Sequence, residues 1–204
     1  SNLVPGDTNG EADAFVHDMS TGVTTRISVN SAGIQAEGRS SDPSISGDGR
    51  YLVFSSDASN LVADDTNGDG DIFIHDRTTG ETTRVSIDST GTQANNVSVD
   101  PTISANGEHV AFVSVATNLV ADDSNSTRDV FVHDTTTGET RRVSVDDDGT
   151  EGDGFSEHAA ISGNGRYVAF DSVAANLVPF DTNMVSDVFV HQYLPDPPPS
   201  TTTT

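Results

Sequence analysis

The stretch Asp65–Asp76 reads DTNGDGDIFIHD, with oxygen-bearing side chains at Asp65, Asn67, Asp69 and Asp71. Calcium is held by six to eight hard oxygens on a flexible loop, and alternating Asp and Asn side chains with backbone carbonyls can supply them. The pattern has three relatives: Asp7, Asn9 and Asp13; Asp123, Asn125 and Asp129; and Asp181, Asn183 and Asp187. Only the second has Asp69 and Gly70, which complete the opening of an EF-hand loop. An EF-hand then requires a helix and a Glu at the twelfth position; here a strand pattern follows and the twelfth residue is Asp76. Two readings stand side by side. All thirteen residues are candidate calcium ligands, or they are turn residues whose side chains bond their own backbone. Arg128 and Met184-Val185 interrupt the third and fourth loops, and Asn125 also opens a glycosylation sequon, as Asn96 does.

Histidine supplies the second kind of chemistry. His17, His75, His133 and His191 recur in the same strand pattern, which predicts a structural, hydrogen-bonded imidazole; a ring of ligands around a channel is the alternative. Glu108-His109 and Glu157-His158 each put an acid beside a base. Adjacent residues on a strand face opposite ways, so neither is a ready dyad. There is no nucleophile elbow, phosphate loop or zinc motif. No catalytic residue is assigned.

Composition narrows the setting. The 204 residues carry 32 acidic against 9 basic side chains, a net charge of −23, and every basic residue is Arg. Such a surface repels nucleic acid and anionic membranes and suits cations or high salt. Cys is absent, which excludes disulfides and zinc–thiolate sites. No apolar run approaches the ~20 residues of a membrane span, so membrane insertion is not expected.

The elements that must position these residues repeat. NLVP or NLVA occurs at Asn2, Asn60, Asn118 and Asn176, a constant step of 58 residues. The histidines keep that step, as do Arg26, Arg84 and Arg142, then Gly49, Gly107 and Gly165, and Phe54, Phe112 and Phe170. Within one period four strands are predicted: Pro43–Ser46, Arg50–Ser56, Asp71–Asp76 and Thr82–Asp88. The second is a nearly continuous apolar run; the last two alternate and are rich in β-branched residues. GDG, ANG or GNG joins the first pair, good tight-turn chemistry. The fold class is all-β, propeller-type blades of four antiparallel strands, in about three and a half copies.

DPSISGDGRYLVFSS followed by DIFIHDRTTGETTRVS resembles the WD40-like (PD40) repeats of TolB-type β-propellers. Ser46-Gly47-Asp48-Gly49 departs from that family's usual Trp or Pro before Asp-Gly. The resemblance implies propeller blades over nearly the whole chain.

Residues 1–193 are read as the repeat domain (repeats 1–58, 59–116, 117–174 and a partial 175–193), and 194–204 as a Pro/Thr-rich linker or tail. The N-terminal part supplies only the last two strands of a blade and the C-terminal part only the first three. A closed propeller usually needs at least ~4 blades. The expectation is therefore an incomplete propeller or a strand-sharing assembly, with other copies or the rest of a longer chain as partners at the open edges. Protein or glycan ligands are further expected partners. The expected role is a non-catalytic extracellular or cell-surface scaffold, adhesion or self-assembling module stabilised by calcium. The alternative is the propeller portion of a secreted carbohydrate-active lyase or hydrolase.

Overall fold

In a computed structural model, described for residues 3–183 and 185–194, every regular element is a β-strand. Asn2, Met184 and the tail from residue 195 onward, read above as repeat and linker positions, lie outside the described residues. β1 (Phe15–Asp18) and β2 (Val23–Arg26) form a two-stranded half-blade. The first full blade is β3 (Ser40–Ile45), β4 (Tyr51–Ser56), β5 (Asp71–Asp76) and β6 (Glu81–Arg84), hydrogen-bonded in that order. The second is β7 (Ser98–Ile103), β8 (His109–Ser114), β9 (Asp129–Asp134) and β10 (Thr140–Arg142). The third has three strands, β11 (Ser156–Ile161), β12 (Tyr167–Ser172) and β13 (Asp187–Gln192). All pairings are antiparallel. The blades form an arc, not a closed ring.

Two predicted strand boundaries move by more than one residue. The first strand of the blade starts at Ser40 rather than Pro43, because it passes through a β-bulge. Asp42 sits there at φ 53°, Asp100 and His158 at 53° and 54° in the equivalent bulges. A short acceptor side chain eases that backbone: Asp42 Oδ2 accepts hydrogen bonds from Ser41 and Ser55. Pro43 follows, where the broken ladder needs no donor. The fourth strand ends at Arg84 rather than Asp88, and the chain beyond returns through the bridge Ile87–Gln93.

Each core lies between blades. Leu52, Phe54 and Phe73 of the first blade pack on Ala14, Ile27 and Ala36 of the half-blade. Val53, Ile72 and Ile74 on the other face of that sheet meet Val110, Phe112 and Leu119 of the second. Ala111, Val130 and Val132 meet Val168, Phe170 and Leu177 of the third. With both faces covered, the middle strands must be continuously apolar, which is why β4 and β8 are buried along almost their full length. The NLV motif clamps neighbouring blades: Leu61, Leu119 and Leu177 are buried, and Asn60, Asn118 and Asn176 donate to the backbone carbonyls of residues 35, 93 and 151.

Successive inner turns also interlock. Gly47 N–H donates to Ala105 O, and Ala105 N–H to Gly163 O, both at 2.9 Å. Tyr51 covers Gly107 of the next blade and His109 covers Gly165, so closely that a Cβ on either glycine would collide with the ring.

Candidate functional site

The candidate site is the acidic loop before the third strand of each blade. In the first full blade the loop runs from Asp65 to Asp71 and is closed by partners from the hairpin that follows β5. Gln93 Nε2 bridges the two carboxylates, donating to Asp65 Oδ1 at 3.0 Å and Asp71 Oδ2 at 2.9 Å. The Arg84 guanidinium lies against the same oxygens, at 3.7 and 3.4 Å. Ser86 donates to the other oxygen of Asp71 at 2.6 Å. Asn67 Nδ2 donates to Ala94 O, and its carbonyl oxygen accepts the Asp69 N–H in a local turn. The half-blade repeats this with Asp7, Asn9, Asp13, Arg26, Ser28 and Gln35. Two carboxylates thus face an internal cation and an amide donor. Burial still pushes the Asp71 carboxyl upward, against Ser86 and Arg84.

The third copy breaks the pattern where Glu151 stands in place of Gln35 and Gln93. Asp123, Asp129 and Glu151 then converge, with carboxylate oxygens within 4.8 Å of one another. Arg142 is drawn onto Glu151 and stays 3.7 Å from both aspartates. Ser144 still donates to Asp129 at 2.6 Å, and Asn125 Nδ2 donates to Asp129 at 3.1 Å and to Gly152 O at 2.9 Å. Burial, with the neighbouring Asp129 and Glu151 charges and against Arg142, pushes Asp123 up to about 6. Burial also favours a raised value at Glu151, but hydrogen bonds from Ser124 and the Arg142 charge hold it low.

In the fourth loop Asn183 Nδ2 donates to Asp187 at 2.8 Å, and the Asn183 carbonyl accepts the Val185 N–H. The structure therefore brings together the paired aspartates of the first three loops, while all four asparagines turn their carbonyl oxygens onto backbone N–H groups two residues on. Asp69 contributes its N–H to that turn, and its carboxylate does not join Asp65 and Asp71 in a triplet. Sequence reasoning missed Gln35, Gln93, Glu151 and the serines. It found the periodic arginines without giving them a partner.

Three of the periodic histidines, His17, His75 and His133, hold the outer strands. His75 Nδ1 lies 2.9 Å from Thr82 Oγ1, which donates to Val29 O of the preceding half-blade at 2.6 Å. With the hydroxyl proton so committed, the imidazole donates through Nδ1. His133, Thr140 and Ile87 O repeat the relay. Burial holds both imidazoles below their usual range. They reach across to the outermost strands, so they form no ring around a channel. His109 is a packing residue, edge-on to Tyr193 with centroids 5.6 Å apart. His158 is exposed and bonds Asp171 at 2.8 Å, while Glu157, near the same point, pairs with Arg128 at 2.7 Å.

No protein-family model matches this sequence, and no curated protein matches it. Solved structures do share its fold. TolB from Acinetobacter baumannii is 19% identical with a TM-score of 0.52, over 88% of this chain and 35% of that one. The tricorn protease is 16% identical with a TM-score of 0.57, over 94% of this chain and 16% of that one. A TolB-like protein from Agrobacterium tumefaciens is 15% identical with a TM-score of 0.54, over 90% and 54%. The chain spans about half or less of each. It has the fold of TolB-type propeller blades, in an unclosed arc.

Proposed function

We propose that this chain is a non-catalytic scaffold or adhesion module of an extracellular or cell-surface setting, whose third sheet is a docking face for a further blade, supplied by a second copy or by the rest of a longer chain. One observation carries the reading. Ile72 and Ile74 of β5, and Val130 and Val132 of β9, are buried beneath the next blade. Their counterparts in β13, Val188 and Val190, are 78% and 68% exposed. Tyr167, counterpart of the glycine-covering Tyr51 and His109, is 38% exposed. The third blade thus shows an apolar face of the kind this fold covers with its own repeat at each of its three interblade cores. Covering a valine fully is worth about 1.5–3 kcal/mol, before the cost of association. Among the described residues no strand pairs with the outer edge of β13, which adds a row of backbone groups suited to strand addition. The acidic surface fits an exterior, salt-screened setting and keeps such assemblies soluble.

Sedimentation velocity across a dilution series tests this. A mass that rises with concentration is expected. A monomer throughout the series would overturn self-association.

A further inference from the structure

We propose that the third acidic loop, unlike the two before it, is a divalent-cation site of calcium type, with Asp123, Asp129 and Glu151 as its ligands. The internal copies supply the control. In the half-blade and the first full blade, a glutamine Nε2 donates to both aspartates, so each of those oxygens already has a proton to bond. Glu151 has no proton to give. The single guanidinium of Arg142 faces three carboxylates, a local charge of −2, where Arg84 faces two, a local charge of −1.

A second observation is independent of the charge count. Asp123 Oδ1 is buried without a hydrogen-bond donor, on a side chain only 3% exposed, and it points into the triplet. Its counterpart Asp65 Oδ1 accepts Gln93 at 3.0 Å. Among the described residues, the only cation near that oxygen is the Arg142 guanidinium at 3.7 Å, too far for a hydrogen bond, so a closer cation or a proton would stabilise it. Hard oxygens alone, with no imidazole or thiolate in the group, select calcium or magnesium over zinc or copper. An irregular surface loop suits calcium, which tolerates irregular geometry, better than magnesium. Asp122, Ser124 and Thr150 line the open side, where water and backbone carbonyls can complete the shell. Calcium bound there would take over from Arg142 at the two aspartates, leaving the guanidinium on Glu151 and on Asp122 O.

The test is calorimetric titration of chelator-treated full chain with calcium chloride, paired with thermal unfolding with and without calcium. One bound calcium and a higher Tm are expected. Glu151→Gln installs the amide of the other copies, so it should fold, match or exceed the calcium-free wild type in Tm, and lose the calcium response. Gln93→Glu should raise the stoichiometry from one to two. Calcium binding unchanged in Glu151→Gln would overturn the assignment. So would wild-type protein whose Tm responds to pH but not to calcium, which would mean that a proton alone fills the site.

Discussion

Arg84 is the residue on which the second acidic loop turns. It is buried with Asp65 and Asp71, so removing it leaves two carboxylates facing each other behind a single glutamine. Breaking one side of a buried ion pair costs about 3–5 kcal/mol. Arg84→Ala should lower stability by that order, and Asp71→Asn in the same chain should recover part of it; urea unfolding of the three proteins measures both. Protonation acts in two opposite senses. His75 and His133 are held below the usual range by burial, so the stability they lend is present above pH 6.5 and lost as pH falls through their folded values. Asp123 is raised, so its contribution has the other sign: stability is gained as pH falls from about 6 toward its ordinary value of 3.8. Replacing both histidines with Gln should flatten the acid loss of Tm below pH 6.5, and Glu151→Gln should remove the opposing gain. The spacing of Asp and Asn was legible in the sequence. Gln93 was not, because it lies 28 residues from Asp65 and is joined to it only by the return of the fourth-strand hairpin. The signal available was the shared 58-residue step of Gln35 and Gln93, and the break in it at Glu151.

Among the elements, the four-strand blade was readable because period-two alternation, β-branched residues and Gly-containing turns all agreed. The bulge before Pro43 was not, since an Asp in a left-handed backbone leaves no hydrophobic signature. The turns give a sharp contrast between two glycines with the same φ of 77°, Gly80 between β5 and β6 and Gly107 between β7 and β8. A Cβ at Gly80 meets nothing within 4 Å, whereas one at Gly107 would lie 2.4 Å from the Tyr51 ring. Gly80→Ala should cost about 1–2 kcal/mol, the strain of a left-handed backbone. Gly107→Ala should cost that plus about 1–3 kcal/mol of overpacking, because it also separates two blades. Thermal unfolding of the two variants compares them; equal losses would mean that the Tyr51 contact does not hold the blades together.

At the scale of the molecule, the arc is a stack in which each sheet completes the core of its neighbour. The half-blade, two full blades and three-stranded blade enclose three interblade cores. The incomplete blades were visible in the sequence, since strand patterns can be counted. The open face was not, because DVFVHD in β9 and DVFVHQ in β13 read alike while one is buried and the other alternates with solvent. Only the position in the stack separates them. Light scattering of wild type against Val188→Asp/Val190→Asp tests that position most directly. The wild type should form species larger than the monomer, and the double variant should remain monomeric with its blades folded. Assembly that survives both aspartates would contradict the third sheet as the docking face.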